Sequence, residues 1–310
     1  MEKWYKENGI IHPSVQLETT TKSIGGRGLF YKNSIQSASQ GDILAYIPKQ
    51  LIFEPMNIRS NCNSKFISDL EETTTFSTDK DETSLSWATM FSLYAFKAFQ
   101  DENDNIWKEW ITLWKGGGPE GPKSFEKYTE EEVNWLLLEI DNNDANVLCT
   151  EDVKEVIEKR YNTYQRDLKY AEKYNIEEDL FSSLYSIVLS RTASLGFMWQ
   201  NTRGIIPLHD MINHPPKDGS LSKNVELFCV GDIKNMIGNE GFEMLFSKLI
   251  KCSDDIQKQS VSCSDQDVLL VASKEIRHHD ELLLSYRNCD QKVDMKQQIW
   301  LLLQYGFSFW

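Results

Sequence analysis

Positive charge is scarce in this chain. Its 310 residues hold 33 Lys and Arg against 47 Asp and Glu, a formal net charge of −14, and the sequence pI is near 4.9. Neutralising nucleic-acid phosphates takes a basic face, and no basic run is present to make one, so a nucleic-acid binder is excluded and a basic protein partner is expected. The six cysteines, at 62, 149, 229, 252, 263 and 289, include no C-x-x-C pair. That spacing excludes a zinc ribbon and a disulfide framework. No run of about 18 uninterrupted apolar residues occurs, so no membrane span is expected. The opening residues, MEKWYKENGI, also lack the apolar stretch of a secretory signal. A reducing compartment follows as the expectation, cytoplasmic with the nucleus as the second choice. G-x-S-x-G and the P-loop are missing too, and the glycine-rich run Gly116 to Pro122 reads as a surface loop with no helix opening directly after it, which removes the serine-hydrolase elbow and the common phosphate cradles.

What is present suits a globular protein. Hydrophobic residues make up 40% and charged residues 26%, enough to bury a core in one large domain or two ordinary ones. Val15 and Leu17 alternate with polar neighbours, a Gly-Gly-Arg-Gly turn spans 25–28, and Asp42 to Pro48 and Gln50 to Phe53 are two apolar runs parted around Pro48. Together they predict a small β-module. Leu85 to Phe99 is apolar on nearly every side, the signature of a core helix. Thr129-x-x-Glu132 and Asp152-x-x-Glu155 are capping boxes that predict two helix starts, the second leading a stripe through Val153, Val156, Ile157, Tyr161, Tyr164 and Leu168. Strands return at Val225 to Val230, Asp267 to Ser273 and Glu281 to Tyr286, and the polar stretch 231–266 reads as an added loop. A few N-terminal strands cannot cover their own faces, so both ends are expected to build one sheet-based domain around a helical insertion.

Four clusters carry possible chemistry. The glycine turn at 25–28 lets backbone approach a ligand, or is simply a tight turn. In Pro207-Leu-His-Asp-Met-Ile-Asn213-His214, polar groups lie within an apolar stretch and must be satisfied by a ligand or by the loop itself. His209 and His214 are five apart, off the spacing of a helical metal pair, and no metal site is expected. Tyr286 closes an apolar strand, Tyr305-Gly-Phe307 comes near the end, and Arg191 ends an apolar segment where its charge needs a carboxylate from protein or ligand.

Taken in order, these segments resemble the SET-domain protein methyltransferases, in particular the split-SET subfamily that includes the RuBisCO large-subunit methyltransferase. Gly25 to Phe30 with Gly41 to Pro48 matches the opening, Trp107-Lys-Glu-Trp110 resembles an insert motif, and Ser190-Arg191, Pro207 to His214, Glu281 to Tyr286 and Tyr305-Gly-Phe307 match the second half. The resemblance implies an α+β fold in which small sheets and a pseudoknot are interrupted by a mainly helical insertion. Its expected divisions are 1–60 and 186–310 for the SET parts and 61–185 for the insert, with no C-terminal substrate-binding domain.

The resemblance also implies a role for each residue. S-adenosylmethionine is held by backbone of Gly25, Gly26, Arg27 and Gly28, by Arg191 on the methionyl carboxylate, and by Asn213 and His214 on the amino and adenine ends, with Asp210 nearby. Tyr286 lies beside the methyl group as the catalytic tyrosine, and Tyr305 and Phe307 line the substrate channel. The implied activity is methyl transfer to a side-chain nitrogen, lysine of a non-histone protein, by a monomer. A catalytically inactive binding module and a protein-histidine methyltransferase are the alternatives. Three departures are visible. The family's Gly-Glu-Glu turn reads His279-Asp280-Glu281, its Tyr-Gly reads Tyr286-Arg287, and Asn224-Val225 stands where a second tyrosine often lies. A bulkier turn at 279–281 is expected.

Overall fold

A computed structural model describes Trp4 and residues 8–18, 28–61, 86–100, 106–115, 150–194, 203–213, 215, 221–252 and 262–285. These fall into two compact units, one drawn from Met1–Asn57 and Thr192–Asp290, the other from Ile58–Arg191. In the first unit the strands are β1 (Ile10–Ile11), β2 (Val15–Glu18), β3 (Gly28–Tyr31), β4 (Ile43–Ile47), β5 (Ala193–Ser194), β6 (Arg203–Gly204), β7 (Val225–Cys229) and β8 (Val268–Ala272). Among the described residues these strands pair antiparallel, in a four-stranded sheet of order β1-β4-β8-β7 and the two-stranded sheets β2-β3 and β5-β6.

The large sheet joins the two ends of the chain. β4 and β8 are buried at all five positions, with Ile47 opposite Val268 and Tyr46 opposite Leu269. Strands covered on both faces read as continuous apolar runs, which is why ILAYI and VLLVA stood out in the sequence. The run 50–53 behaves differently. Pro48 has no N–H to give a ladder, and the chain turns into a 3-10 helix at Lys49–Leu51, with Leu51 N donating to Pro48 O at 2.9 Å. Only Phe53 pairs as a bridge, with Ile205.

The stretch 231–266, expected as a loop, is largely helical. Helix Val230–Cys252 breaks at Gly238, whose φ of 75° and ψ of 166° are non-helical. Ile233, Phe242, Phe246 and Leu249 are buried against Ile10, Tyr46 and Leu269 of the sheet. The Phe242 and Phe246 rings stack 5.4 Å apart, and Phe246 meets Tyr46 edge-on at 5.2 Å. Ring-on-ring contacts of this kind add to area burial. Polar residues outside this stripe hid the helix from the sequence reading.

In the second unit the helices are α1 (Pro55–Asn61, beginning in the first unit), α2 (Trp87–Gln100), α3 (Lys108–Lys115), α4 (Thr150–Glu172) and α5 (Glu178–Arg191); Val230–Cys252 is α6. α2 is buried almost throughout, as an all-apolar helix must be. Ser86 caps it by accepting from Thr89 N at 3.2 Å. Buried Asp167 of α4 accepts from Ser86 Oγ at 2.6 Å, from Thr89 Oγ1, and from both Arg166 Nε and NH2 at 2.9 Å, so its charge is satisfied where α2 and α4 meet. α4 begins two residues before the predicted capping box, and Tyr161, expected on its apolar stripe, is 48% exposed, whereas Tyr164 and Leu168 are buried. The predicted helix start at Thr129 lies outside the described residues. Among the described residues no helix is long and apolar enough to cross a membrane.

Candidate functional site

Three sequence-distant segments meet in the first unit. β3 is flanked by residues 279–282: Tyr31 N donates to Asp280 O at 2.9 Å, His279 N to Tyr31 O at 2.8 Å, and Leu282 N to Leu29 O at 2.7 Å, around a bridge between Phe30 and Glu281. On its other side the same segment forms a parallel bridge from Leu283 to Asn213, with Leu284 N donating to Asn213 O at 3.0 Å. Residues 281–284 therefore pair with different partners residue by residue. That is why the apolar run expected as a strand is a series of bridges.

Side chains fix this junction. Asn213 (9% exposed) donates from Nδ2 to Glu281 Oε1 at 2.8 Å, and Glu281 is itself 4% exposed. Buried Asn224 works on the main chain: its Nδ2 donates to Glu281 O at 2.8 Å and its Oδ1 accepts from Leu283 N at 2.7 Å. An asparagine that satisfies one donor and one acceptor of an irregular segment does what a neighbouring strand would otherwise do. Neither Asn224 nor Glu281 was singled out as a site residue in the sequence. The available signal was a polar residue bounding each of two apolar runs.

The turn feeding this segment is the bulkier one expected. His279 holds φ of 67°, a left-handed conformation in which glycine is at ease and histidine is tolerated. Asp280 closes the turn by accepting from Arg277 N at 2.7 Å. Behind β3, the His12 ring lies 5.8 Å from that of Tyr31 and accepts from Ser14 N at 3.2 Å through Nδ1. Burial pulls the His12 pKa below the ordinary imidazole value, against a smaller upward pull from Asp42.

Ahead of Asn213 the backbone is strained. Leu208 is buried with φ of 72° and ψ of −47°, followed by a 3-10 helix at His209–Met211 that carries buried Asp210. A left-handed branched residue persists only where its surroundings over-determine it, and such residues gather at functional sites. Two buried carboxylates, Asp210 and Glu281, are thus associated with the Asn213 segment, one three residues before it and one bonded to it.

No family model and no curated protein matches the sequence. Solved structures do match its fold. The SET domain of LSMT bound to lysine and AdoHcy superposes with TM-score 0.57 at 19% identity, over 99% of this chain and 56% of that one. The same domain bound to methyl-lysine and AdoHcy, and Rubisco LSMT bound to AdoMet, each give TM-score 0.54 at 17% identity, over 99% of this chain and 55% of theirs. The chain has the SET-domain fold. It spans just over half the length of the solved chains it matches. The expected α+β class, with small antiparallel sheets and helices, holds.

Of the residues the sequence proposed, Gly28, Asp210 and Asn213 are described in the first unit, and Gly28 opens the strand that pairs with 279–282. Arg191 ends α5 in the second unit and is half-buried. Gly25, Gly26, Arg27, His214, Tyr286, Tyr305 and Phe307 lie outside the described residues.

Proposed function

We propose that this protein is an S-adenosylmethionine-dependent protein N-methyltransferase acting on lysine of a basic, non-histone protein. The observation that carries the reading is the junction of β3, Asn213 and residues 281–285: it draws the N-terminal piece, the Asn-His segment and the run leading to Tyr286 into one hydrogen-bonded layer on a SET-domain fold. The donor carries a positive sulfonium and an ammonium, and the described polar groups fit it, with buried carboxylates at Asp210 and Glu281 and no Lys or Arg among 203–213 other than exposed Arg203.

The donor supplies an electrophilic methyl carbon. The protein's task is then alignment, because an in-line displacement needs nucleophile, carbon and sulfur collinear near about 3 Å. A junction whose main chain is fixed by Asn224 and whose Asn213 is fixed by Glu281 provides a rigid wall for that alignment. In this reading Gly25 to Gly28 offer backbone to the donor, Arg191 its carboxylate partner, Tyr286 orients the methyl, and Tyr305 and Phe307 desolvate the incoming amine. Desolvation favours the neutral amine over the ammonium, as an entering lysine with reference pKa of about 10.4 requires. The formal charge of −14 supports attraction of a basic target.

Two measurements test the reading: calorimetric titration with S-adenosylhomocysteine, and transfer of labelled methyl to proteins of a cell lysate followed by identification of the modified amino acid. Binding, and methyl-lysine lost by orders of magnitude in Tyr286→Phe, are the expected results. Methyl-histidine would replace the lysine assignment, and binding without transfer would leave a binding module.

A further inference from the structure

α6 turns Ile233, Phe242, Phe246 and Leu249 onto the sheet, and this face anchors it. Its other side carries apolar side chains as well, where the core has no use for them. Met236, Ile237 and Met244 are 69%, 44% and 62% exposed, so three of the six large hydrophobic side chains exposed among the described residues fall within nine positions of one helix. Scattered single hydrophobics are ordinary on a surface, whereas a contiguous group marks a place that meets another molecule.

The group is contiguous across the break at Gly238. A Cβ placed on Gly241 would lie 3.2 Å from both Cβ and Cγ1 of Ile237, so the isoleucine lies down against the glycine backbone four positions on. Met244 follows three positions after Gly241, on the same side of the helix. Gly241 is thus a low point between two large apolar side chains. The charge around it has one sign. Asp232, Glu240 and Glu243 are exposed and, among the described residues, make no ion pair, whereas Lys234, the one base between 232 and 244, is held by Asp265 at 2.9 Å. Lys248 and Lys251 come later, toward the carbonyl end of the helix, which favours cations.

We propose that this face of α6 docks a basic amphipathic helix of a partner protein, whose apolar side chains enter at Gly241 between Ile237 and Met244 and whose Lys and Arg meet Asp232, Glu240 and Glu243. A helix is the fitting occupant because α6 bonds its main chain largely within itself and offers an arriving chain only side chains. An extended segment would be left with N–H and C=O groups unpaired, while a helix satisfies its own. Methionine suits such a surface, since its unbranched thioether adapts to the side chains it meets. A second copy of this chain does not fit, for it would set the same three carboxylates against one another. The proposal is independent of the methyltransferase reading.

The probe is a fluorescein-labelled peptide of about 18 residues built from leucine and lysine with the leucines on one helical face, beside a counterpart with glutamate in place of lysine. Fluorescence anisotropy is measured with the wild-type protein, with Met236→Ser/Met244→Ser and with Glu240→Lys/Glu243→Lys. All four positions are exposed, so unchanged melting temperatures serve as the fold control. The wild type is expected to bind the lysine peptide, each double variant to weaken that binding about tenfold or more, and the glutamate peptide to bind the wild type at least about tenfold more weakly. No binding of the lysine peptide by the wild type, equal affinity for the two peptides, or an affinity that survives either double variant overturns the proposal. Self-association of the wild type in sedimentation velocity that Met236→Ser/Met244→Ser abolishes would give this face to a second copy and overturn it as well.

Discussion

Tyr46 Oη donates to Asp267 at 2.8 Å across 221 positions of sequence. The carboxylate, 2% exposed, also accepts from Lys49 N at 2.8 Å and Ser264 N at 2.5 Å, so one side chain ties the end of β4 to the start of β8. Burial, then the bond to Asp267, drives the Tyr46 phenol pKa far upward, and burial with the nearby Asp267 charge pushes the Cys263 thiol up to about 11. Tyr46 therefore stays a neutral donor and Cys263 an unreactive thiol at neutral pH. Asp267→Ala leaves three donors without this acceptor and should lower unfolding stability by about 3 kcal/mol in urea titrations, against about 1 kcal/mol for Tyr46→Phe. Equal small effects would remove Asp267 from this role.

Acid should weaken the first unit through His12. Its folded pKa lies below the ordinary value of 6.5, so the neutral ring is the one the fold prefers, and the associated stability is complete above 6.5 and lost as pH falls from there toward the folded pKa. In urea unfolding between pH 7.5 and 5, the wild-type protein should lose stability relative to His12→Gln on the acid side. A difference between the two that does not vary with pH would contradict this.

The left-handed His279 predicts an ordering of substitutions. His279→Gly should fold at least as well as His279→Ala, whereas His279→Val, β-branched at φ of 67°, should cost about 1–2 kcal/mol. Melting temperatures in the order Gly, Ala, Val, highest first, are the check.

α6 belongs to the core through one face only. Phe246→Ala should destabilise by about 3–5 kcal/mol, since the ring is 2% exposed and touches both Phe242 and Tyr46. Met236→Ser and Met244→Ser, at 69% and 62% exposure, should fall within about 0.5 kcal/mol of wild type. Denaturant midpoints of the three variants decide it.

On the methyltransferase reading proposed above, Asn224→Ala should damage activity as well as stability. It orphans the carbonyl of Glu281 and the amide of Leu283, a loss of about 2–3 kcal/mol, in the segment leading to Tyr286. Methyl transfer measured well below the melting temperature should drop more than the folded fraction does. Activity that tracks the folded fraction would make Asn224 a purely structural residue.

Residues whose surroundings are uniform were the legible ones. ILAYI and VLLVA are buried on both faces and α2 on nearly every side, so composition alone announced them. α6 was hidden because Gly238 breaks its period between Ile233 and Phe242, and because its outer face is polar enough to read as loop. The hydrogen-bonded junction was legible at Asn213 as a polar residue amid apolar ones. Its neighbours Glu281 and Asn224 were not, because their importance comes from pairing across 68, 57 and 59 positions, which no local pattern encodes.

The strand order β1-β4-β8-β7 has a consequence for biosynthesis. β4 finishes at Ile47, but its inner neighbour β8 begins at Val268, so more than 200 residues must leave the ribosome before that edge is covered. The helices from Pro55 to Arg191 are complete well before then. Synthesis from the amino end thus presents an early, uncovered apolar ribbon that waits for a strand more than 200 residues later, and chaperone demand should peak in that interval, falling once Val268 to Ala272 has emerged.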